Sequence, residues 1–250
     1  MEKTNKPGML ANVNKNILTV APEYQRQASP SLIKSIKDSW DWIAAGVLIV
    51  SKRDNQHFVI DGQHRLRAAQ AKPEIDKLPC VIFENLTLAE EATRLAIINS
   101  QRKNMTAIDK FNARLKGNDS TAIYVFNRIS SFKFVIGKMG ANTISCVNNL
   151  MSCAKTNKAR LDRVLRIAVR LFKHDHVDTR AFKGLEYLDT KISLADERLQ
   201  NRIFELGKSE IMAGIKAAMY RIDNHHARTC AMGIMDVVNK NLRNKFEVTF

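Results

Sequence analysis

The sequence predicts an α/β (α+β) N-terminal domain followed by an all-α domain. Short apolar runs rich in β-branched residues alternate with helical periodicity up to about residue 117. From Asn118 the strand-like runs largely vanish, and helical spacing continues nearly to the end. The chain has 250 residues and is 45% hydrophobic, enough to bury a core in one large domain or two modest ones. We therefore expect a flexible arm over 1–16, an α/β domain over 17–117 and a helical domain over 118–250 that binds DNA or dimerises.

The arm is rich in Lys and Asn. Ile17-Leu18-Thr19-Val20 is a strand, and Ala21 to Gln27 is a loop marked by Pro22. Ser29-Pro30 starts a helix, with Ser at the N-cap and Pro at the first helical position. Leu32, Ile33, Ile36, Trp40 and Ile43 keep helical spacing, so this helix runs to about Ala45 and ends at Gly46. Val47 to Ser51 and His57 to Ile60 form a hairpin about the Arg53–Gln56 turn. A helix follows Asp61-Gly62 and stops near Pro73. Leu78 to Phe83 is a strand, Leu88 to Ile98 a helix, and Asn99 to Asn104 a basic polar loop. Thr106, with Asp109 three residues on, caps a helix that ends at Gly117. The later helices are expected at 120–131, 142–154, 157–173, 179–190, 194–206, 209–222 and 225–242.

The net charge of +15 favours a polyanionic partner, most simply DNA or RNA. The four cysteines, Cys80, Cys146, Cys153 and Cys230, form no C-x-x-C pair. They read as reduced, mostly buried thiols of a cytoplasmic protein. No apolar run approaches a membrane span, and the N-terminal stretch lacks a signal-peptide core.

The central stretch is Phe58-Val59-Ile60-Asp61-Gly62-Gln63-His64-Arg65-Leu66-Arg67. A strand, a glycine turn and a helix start make a site for anions. Gly62 lets backbone approach a ligand, and the first helical N–H groups and the helix dipole favour negative charge. Arg65 and Arg67 cannot share one helix face. Asp61 is the best carboxylate for holding metal or positioning water; its other role is to cap the helix.

Three polar stretches now stand in order: Glu23-Tyr24-Gln25-Arg26, Asp61-Gly62-Gln63-His64-Arg65 and Asn99-Ser100-Gln101-Arg102. Together they resemble the three boxes of the ParB/sulfiredoxin-like superfamily, the second in its D-G-Q-H-R form known from phages, plasmids and DNA-modification systems. The resemblance covers residues 17–117 and implies a domain that binds a nucleoside triphosphate, CTP or ATP, with Mg²⁺. It implies that Gly62, Gln63, His64 and Arg65 hold phosphates, that Gln25 and Arg26 close over the nucleotide, and that Gln101 and Arg102 complete the site. Asn99 would hold the metal–phosphate group. His64 stands where ParB has arginine, Ile98 replaces the acid that opens the third box, and no proline precedes Arg26. The cysteine that sulfiredoxin places beside its turn has no counterpart here.

ParB follows this domain with a helix-turn-helix. Here Gly140 to Leu150 is the stretch that can supply its turn and recognition helix, with Thr143, Ser145, Asn148 and Asn149 meeting bases or phosphates; a polar helix in a bundle is the other reading. Arg163, Arg166, Arg170 and Lys173 line one face of the 157–173 helix, either as a stripe along a phosphate backbone or as a solvated face. His174-Asp175-His176 with Asp178 has metal-ligand chemistry, but reads as a solvated helix end. His225-His226 face apart on a helix.

The resemblance and the charge together imply nucleotide-dependent DNA binding, with the nucleotide as a switch and slow CTP or ATP hydrolysis at most. The resemblance also implies a homodimer. Two alternatives stand: a metal-dependent DNA nuclease using Asp61, and a regulator that binds DNA or a host protein without nucleotide.

Overall fold

The computed structural model describes residues 7–101, 104–223 and 226–250. The chain divides into two units, Met1–Asn104 and Met105–Phe250.

The first unit contains β1 (Met9–Asn14), β2 (Leu18–Thr19), α1 (Pro30–Asp38), α2 (Trp42–Ala45), β3 (Leu48–Arg53), β4 (Gln56–Asp61), α3 (Gln63–Gln70), β5 (Lys77–Glu84) and α4 (Leu88–Gln101). Its sheet has the order β1-β5-β3-β4-β2. β3 pairs antiparallel with β4 and parallel with β5, while β2 adds parallel to β4. Asp54 and Asn55 carry φ of 49° and 58°, the left-handed pair that a tight hairpin turn requires. Leu48, Val50, Val59, Leu66, Leu78 and Cys80 form the core against the sheet.

Part of the expected arm is a strand. Met9–Asn14 pairs antiparallel with β5, from Met9 opposite Ile82 to Asn14 opposite Lys77. Only Val13 of its side chains is buried, so no apolar alternation advertises it. Lys15 follows it, buried, with Nζ donating to the carbonyls of Ala69 and Lys72 at 3.1 and 2.5 Å, where α3 ends. A cation there satisfies the exposed carbonyls and the helix dipole.

The single helix expected from Pro30 to Ala45 is two. Ser29 caps α1 as expected, with Pro30 at its first position. Ser39 then turns its hydroxyl back to Ser35 O at 2.7 Å, and Asp41 accepts the N–H of Ala44 at 2.7 Å to start α2. Short polar side chains compete with the helical ladder in this way. α4 runs three residues past its expected end, so Asn99, Ser100 and Gln101 lie in its last turn and not in a loop.

The second unit holds α5 (Ala107–Lys116), α6 (Ser120–Ser131), β6 (Val135–Ile136), β7 (Thr143–Ile144), α7 (Val147–Thr156), α8 (Lys158–Leu171), β8 (His176–Val177), α9 (Thr179–Leu188), α10 (Glu197–Ile222) and α11 (Ala227–Val238). The Thr106–Asp109 capping box is present as expected. The unit is not wholly helical: β6, β7 and β8 form a small parallel sheet. Thr143 and Ile144 therefore lie in a strand, and the helix expected from residue 142 begins at Val147. The expected break between 206 and 209 falls at Gly207, with φ of 71° inside α10. Phe172, Phe182, Leu150, Leu161, Leu165 and Ile167 are among its fully buried side chains.

All four cysteines are free and buried. Burial pushes the Cys80 thiol up to about 11, and those of Cys146 and Cys153 to about 12. Such thiols stay protonated and unreactive. Among the described residues, no helix is long and apolar enough to cross a membrane.

Candidate functional site

A cleft of about 830 Å³ opens at the start of α3, within the first unit. Its lining joins the first two boxes (Gln25, Arg26, Asp61, Gly62, Gln63, His64 and Arg65) to Asn99 of the third. Ile36, Ala44, Ile60 and Leu95 supply an apolar side, and Tyr24 also faces it.

The turn itself follows from Gly62. It is the N-cap of α3, with φ of 108° and ψ of 20°, and has no side chain to cap the helix. The N–H groups of Gln63, His64 and Arg65 begin the helix, where backbone donors have no partner inside the helix. The N-cap of α3 is thus Gly62 and not Asp61. Asp61 is buried, and its carboxylate accepts from Arg65 NH2 at 3.0 Å one helical turn on. Arg65 NH1 also donates to the carbonyls of Ala45 and Val47, the latter at 3.3 Å. The guanidinium thus clamps α3 to the α2–β3 connection.

The first box lies along the second. Gln25 Nε2 donates to the carbonyls of Val59 and Ile60 at 3.0 and 2.8 Å. Gln63 Nε2 donates to Arg26 O at 3.3 Å. The N–H of Ser29 donates to His64 Nε2 at 3.0 Å. Burial first, and then the nearby Arg26 cation, lower the His64 pKa below its ordinary 6.5. The Arg26 side chain is exposed at the cleft.

A buried carboxylate that composition did not single out anchors this arrangement. Glu91 is fully buried on α4, accepting from Arg53 Nε and from Tyr24 OH, each at 3.1 Å. Burial and the Glu91 charge push the Tyr24 hydroxyl well above its usual range, so it stays a donor. Glu91, Leu95 and Asn99 are four residues apart and share one face of α4. That spacing is the sequence signal that finds Leu95 and Glu91. Gln101, on the same helix, is exposed and lines no part of the cleft. Arg102 lies outside the described residues.

His64 gives the cleft a pH dependence. A neutral imidazole accepts the Ser29 N–H; an imidazolium has no lone pair to do so. The folded pKa lies below 6.5, so this stabilisation is full above 6.5 and is lost as pH falls through the folded value. Amide exchange at Ser29 is expected to accelerate, beyond its intrinsic pH dependence, only as pH falls below 6.5 and through the lowered folded pKa. His64→Ala removes that excess change. An unchanged protection factor in the native protein contradicts the assignment.

The expected DNA-facing residues separate in the second unit. Thr143 is buried, its Oγ1 donating to Gly140 O at 2.7 Å and lying 2.8 Å from His176 Nδ1. Ser145 Oγ lies 3.2 Å from His176 Nε2. Neither sits on a recognition helix. Asn148 is exposed on α7, and Asn149 is half-buried there. The α8 stripe is also divided. Arg163 forks onto Asp189 at 2.9 and 2.7 Å, and Arg170 lies 3.8 Å over the Phe204 ring. Arg166 and Lys173 are exposed. Asp175 pairs with Lys208, and Asp178 caps α9 and pairs with Arg180. His176 is on a strand and not at a helix end. Among the described residues, no three His, Cys, Asp or Glu side chains converge as a metal site. His225 lies outside those residues.

The model of a protein family described as "Family of unknown function (DUF6551)" matches residues 21–199. Two crystal structures of the C-terminally truncated chromosome-partitioning protein ParB from Caulobacter crescentus are similar to the chain. The one complexed with CTP-gamma-S has 14% identity and a TM-score of 0.41, covering 79% of this chain and 99% of that one. The one complexed to the centromeric parS site has 13% identity and a TM-score of 0.31, covering 78% and 91%. No curated protein matches the chain.

Proposed function

The chain belongs to the DUF6551 family of unknown function, and we propose that it is a ParB-like DNA-binding protein switched by a nucleoside triphosphate. One observation carries the reading: a helix start with a glycine at its N-cap opens into a cleft lined by Arg26 and Asn99. Such a helix start takes phosphate through backbone N–H groups and the dipole, and Arg26 adds a charge-assisted donor. The apolar side at Ile36, Ala44 and Leu95 accepts a base or ribose face. The Asn99 amide oxygen is a hard donor that suits Mg²⁺ held mainly by phosphates and water. That ion neutralises phosphate charge when bound.

Gln25, Gln63 and His64 tie the first box to the phosphate-binding turn, so a ligand at that turn shifts the conformation of residues 24–29. With its carboxylate on Arg65, Asp61 is poorly placed to activate water, which agrees with slow hydrolysis at most. The nuclease reading finds no group of three His, Cys, Asp or Glu side chains to hold a metal among the described residues. DNA contact falls to the second unit, where Asn148, Ser152 and Lys155 share an exposed face of α7. The reading includes a homodimer in the cytoplasm.

Calorimetric titration with CTP, ATP and GTP, each with Mg²⁺, tests the cleft. Saturable binding of one nucleotide is expected, weakened about 10- to 100-fold in Arg26→Ala by loss of a charged hydrogen bond of about 1.5–3 kcal/mol. DNA affinity is then compared with and without that nucleotide. Gln25 and Arg65 both donate to the protein's own carbonyls, which favours a second reading: a nucleotide-independent regulator. Absence of binding by all three nucleotides leaves that reading in place of the switch.

A further inference from the structure

We propose that the loop from Gly137 to Gly140 is a wedge for duplex DNA, with Met139 entering a base step and Lys138 resting on phosphate. This rests on the DNA-binding reading above and adds a site to it. Met139 is 86% exposed, and Val135, at the base of the same loop, is 60% exposed.

The loop holds this apolar tip on a firm base. Thr143 Oγ1 donates to Gly140 O at 2.7 Å. The Thr143 methyl lies where it would touch a Cβ on Gly137 at 3.4 Å or on Gly140 at 3.7 Å, so both ends of the tip close over one side chain. Gly140 also has a φ of 111°, a conformation glycine adopts readily. His176 braces Thr143 and Ser145 from β8, and Asn142 Oδ1 accepts the His174 N–H at 2.8 Å. This gives Thr143 and Ser145 a positioning role: they hold the loop instead of touching bases.

Charge identifies the partner. From residue 120 to residue 161 the chain has no Asp or Glu; within it Lys133, Lys138 and Lys155 are exposed, whereas Arg128 pairs with Asp162 and Arg160 lies 3.5 Å from Asp189. The His174–Asn142 bond brings the exposed end of α8, with Lys173, beside the loop. An apolar tip with exposed Lys138 beside it, Lys133 at the loop's start and Asp175 already paired with Lys208 fits a polyanion with stacked apolar faces. Side chains that unstack and kink DNA are of this kind, Met among them. An apolar pocket on a protein partner does not call for the lysines.

The test uses the full chain and a mixed-sequence duplex rich in TA steps, the steps most easily kinked. Affinity is read by anisotropy, bending by energy transfer between the duplex ends, and unstacking by 2-aminopurine emission. The native protein is expected to bend and unstack the duplex. Met139→Ala is expected to lose both signals yet keep the salt dependence of binding, whereas Lys138→Ala lowers the salt slope by about one. Unchanged melting temperatures show that both exposed-site variants fold. If the native protein binds without bending or unstacking, or Met139→Ala matches it, the wedge is overturned and DNA binding stands. If the native protein binds no duplex, the wedge and the DNA-binding reading fall together.

Discussion

Gly62→Ala is expected to abolish nucleotide binding and to lower stability by about 2–4 kcal/mol. Two costs add. The residue holds φ of 108°, where a side chain is strained. The new Cβ would also overlap Leu48 Cδ2 and lie 2.9 Å from Arg65 NH2. Leu48 is a buried core side chain, and Arg65 is fixed by Asp61 and two carbonyls, so neither yields easily. Relief requires moving the start of α3, which misaims the N–H groups of Gln63, His64 and Arg65. For a unit of this size the loss corresponds to roughly 10–20 °C in Tm. Calorimetry in the cold, where the variant is still folded, separates misaimed donors from unfolding. A variant that melts and binds like the native protein would show that the turn is not under this constraint.

Gly233→Val is expected to be the most destabilising single change in the second unit. A Cβ on Gly233 of α11 would sit 2.5 Å from Gly214 O and 2.7 Å from Ile215 Cα of α10. These are backbone atoms of a packed helix, so no rotamer change relieves the clash. The helices must separate, and Ile215, Ile234 and Cys230, all fully buried, lose contacts. Overpacking that forces backbone shifts costs about 3 kcal/mol or more, a large share of a domain's net stability of about 5–15 kcal/mol. Gly214→Ala meets Gly233 O and the Val237 side chain from the other side. The double variant should cost much less than the sum, because one separation of the helices accommodates both. Helical circular dichroism through thermal denaturation reads all three. Additive losses would mean that the two glycines act at independent contacts.

Several features of the site were legible because they act over a few residues. Ser29-Pro30 sets a helix start, Thr106 and Asp109 form a capping box, and Gly46 and Gly62 both carry positive φ. The three-box pattern also pointed to a real assembly: Gln25, Arg26, Gly62, Gln63, His64, Arg65 and Asn99 share one cleft. Met9–Asn14 escaped because an edge strand with one buried side chain shows no alternation. Thr143 and Ile144 escaped because a two-residue strand is too short to have a period.

What each charged side chain does was decided only in three dimensions. Arg65 reads as a phosphate ligand, yet it donates to Asp61, Ala45 and Val47. Arg163 and Arg170 read as one stripe, yet one forks onto Asp189, 26 residues away, and the other covers Phe204. His176 reads as a helix end, yet it braces Thr143 across 33 residues. Spacing along a chain determines which face a side chain occupies, through the 3.6-residue and two-residue periods. Its partner comes from another element, and buried charges and polar groups take whatever donors and acceptors packing brings within reach. The sequence by itself therefore determined the glycine turn, the helix starts and the basic character of this chain. The tertiary structure decided which of its cations are spent on the fold and which face the cleft or solvent.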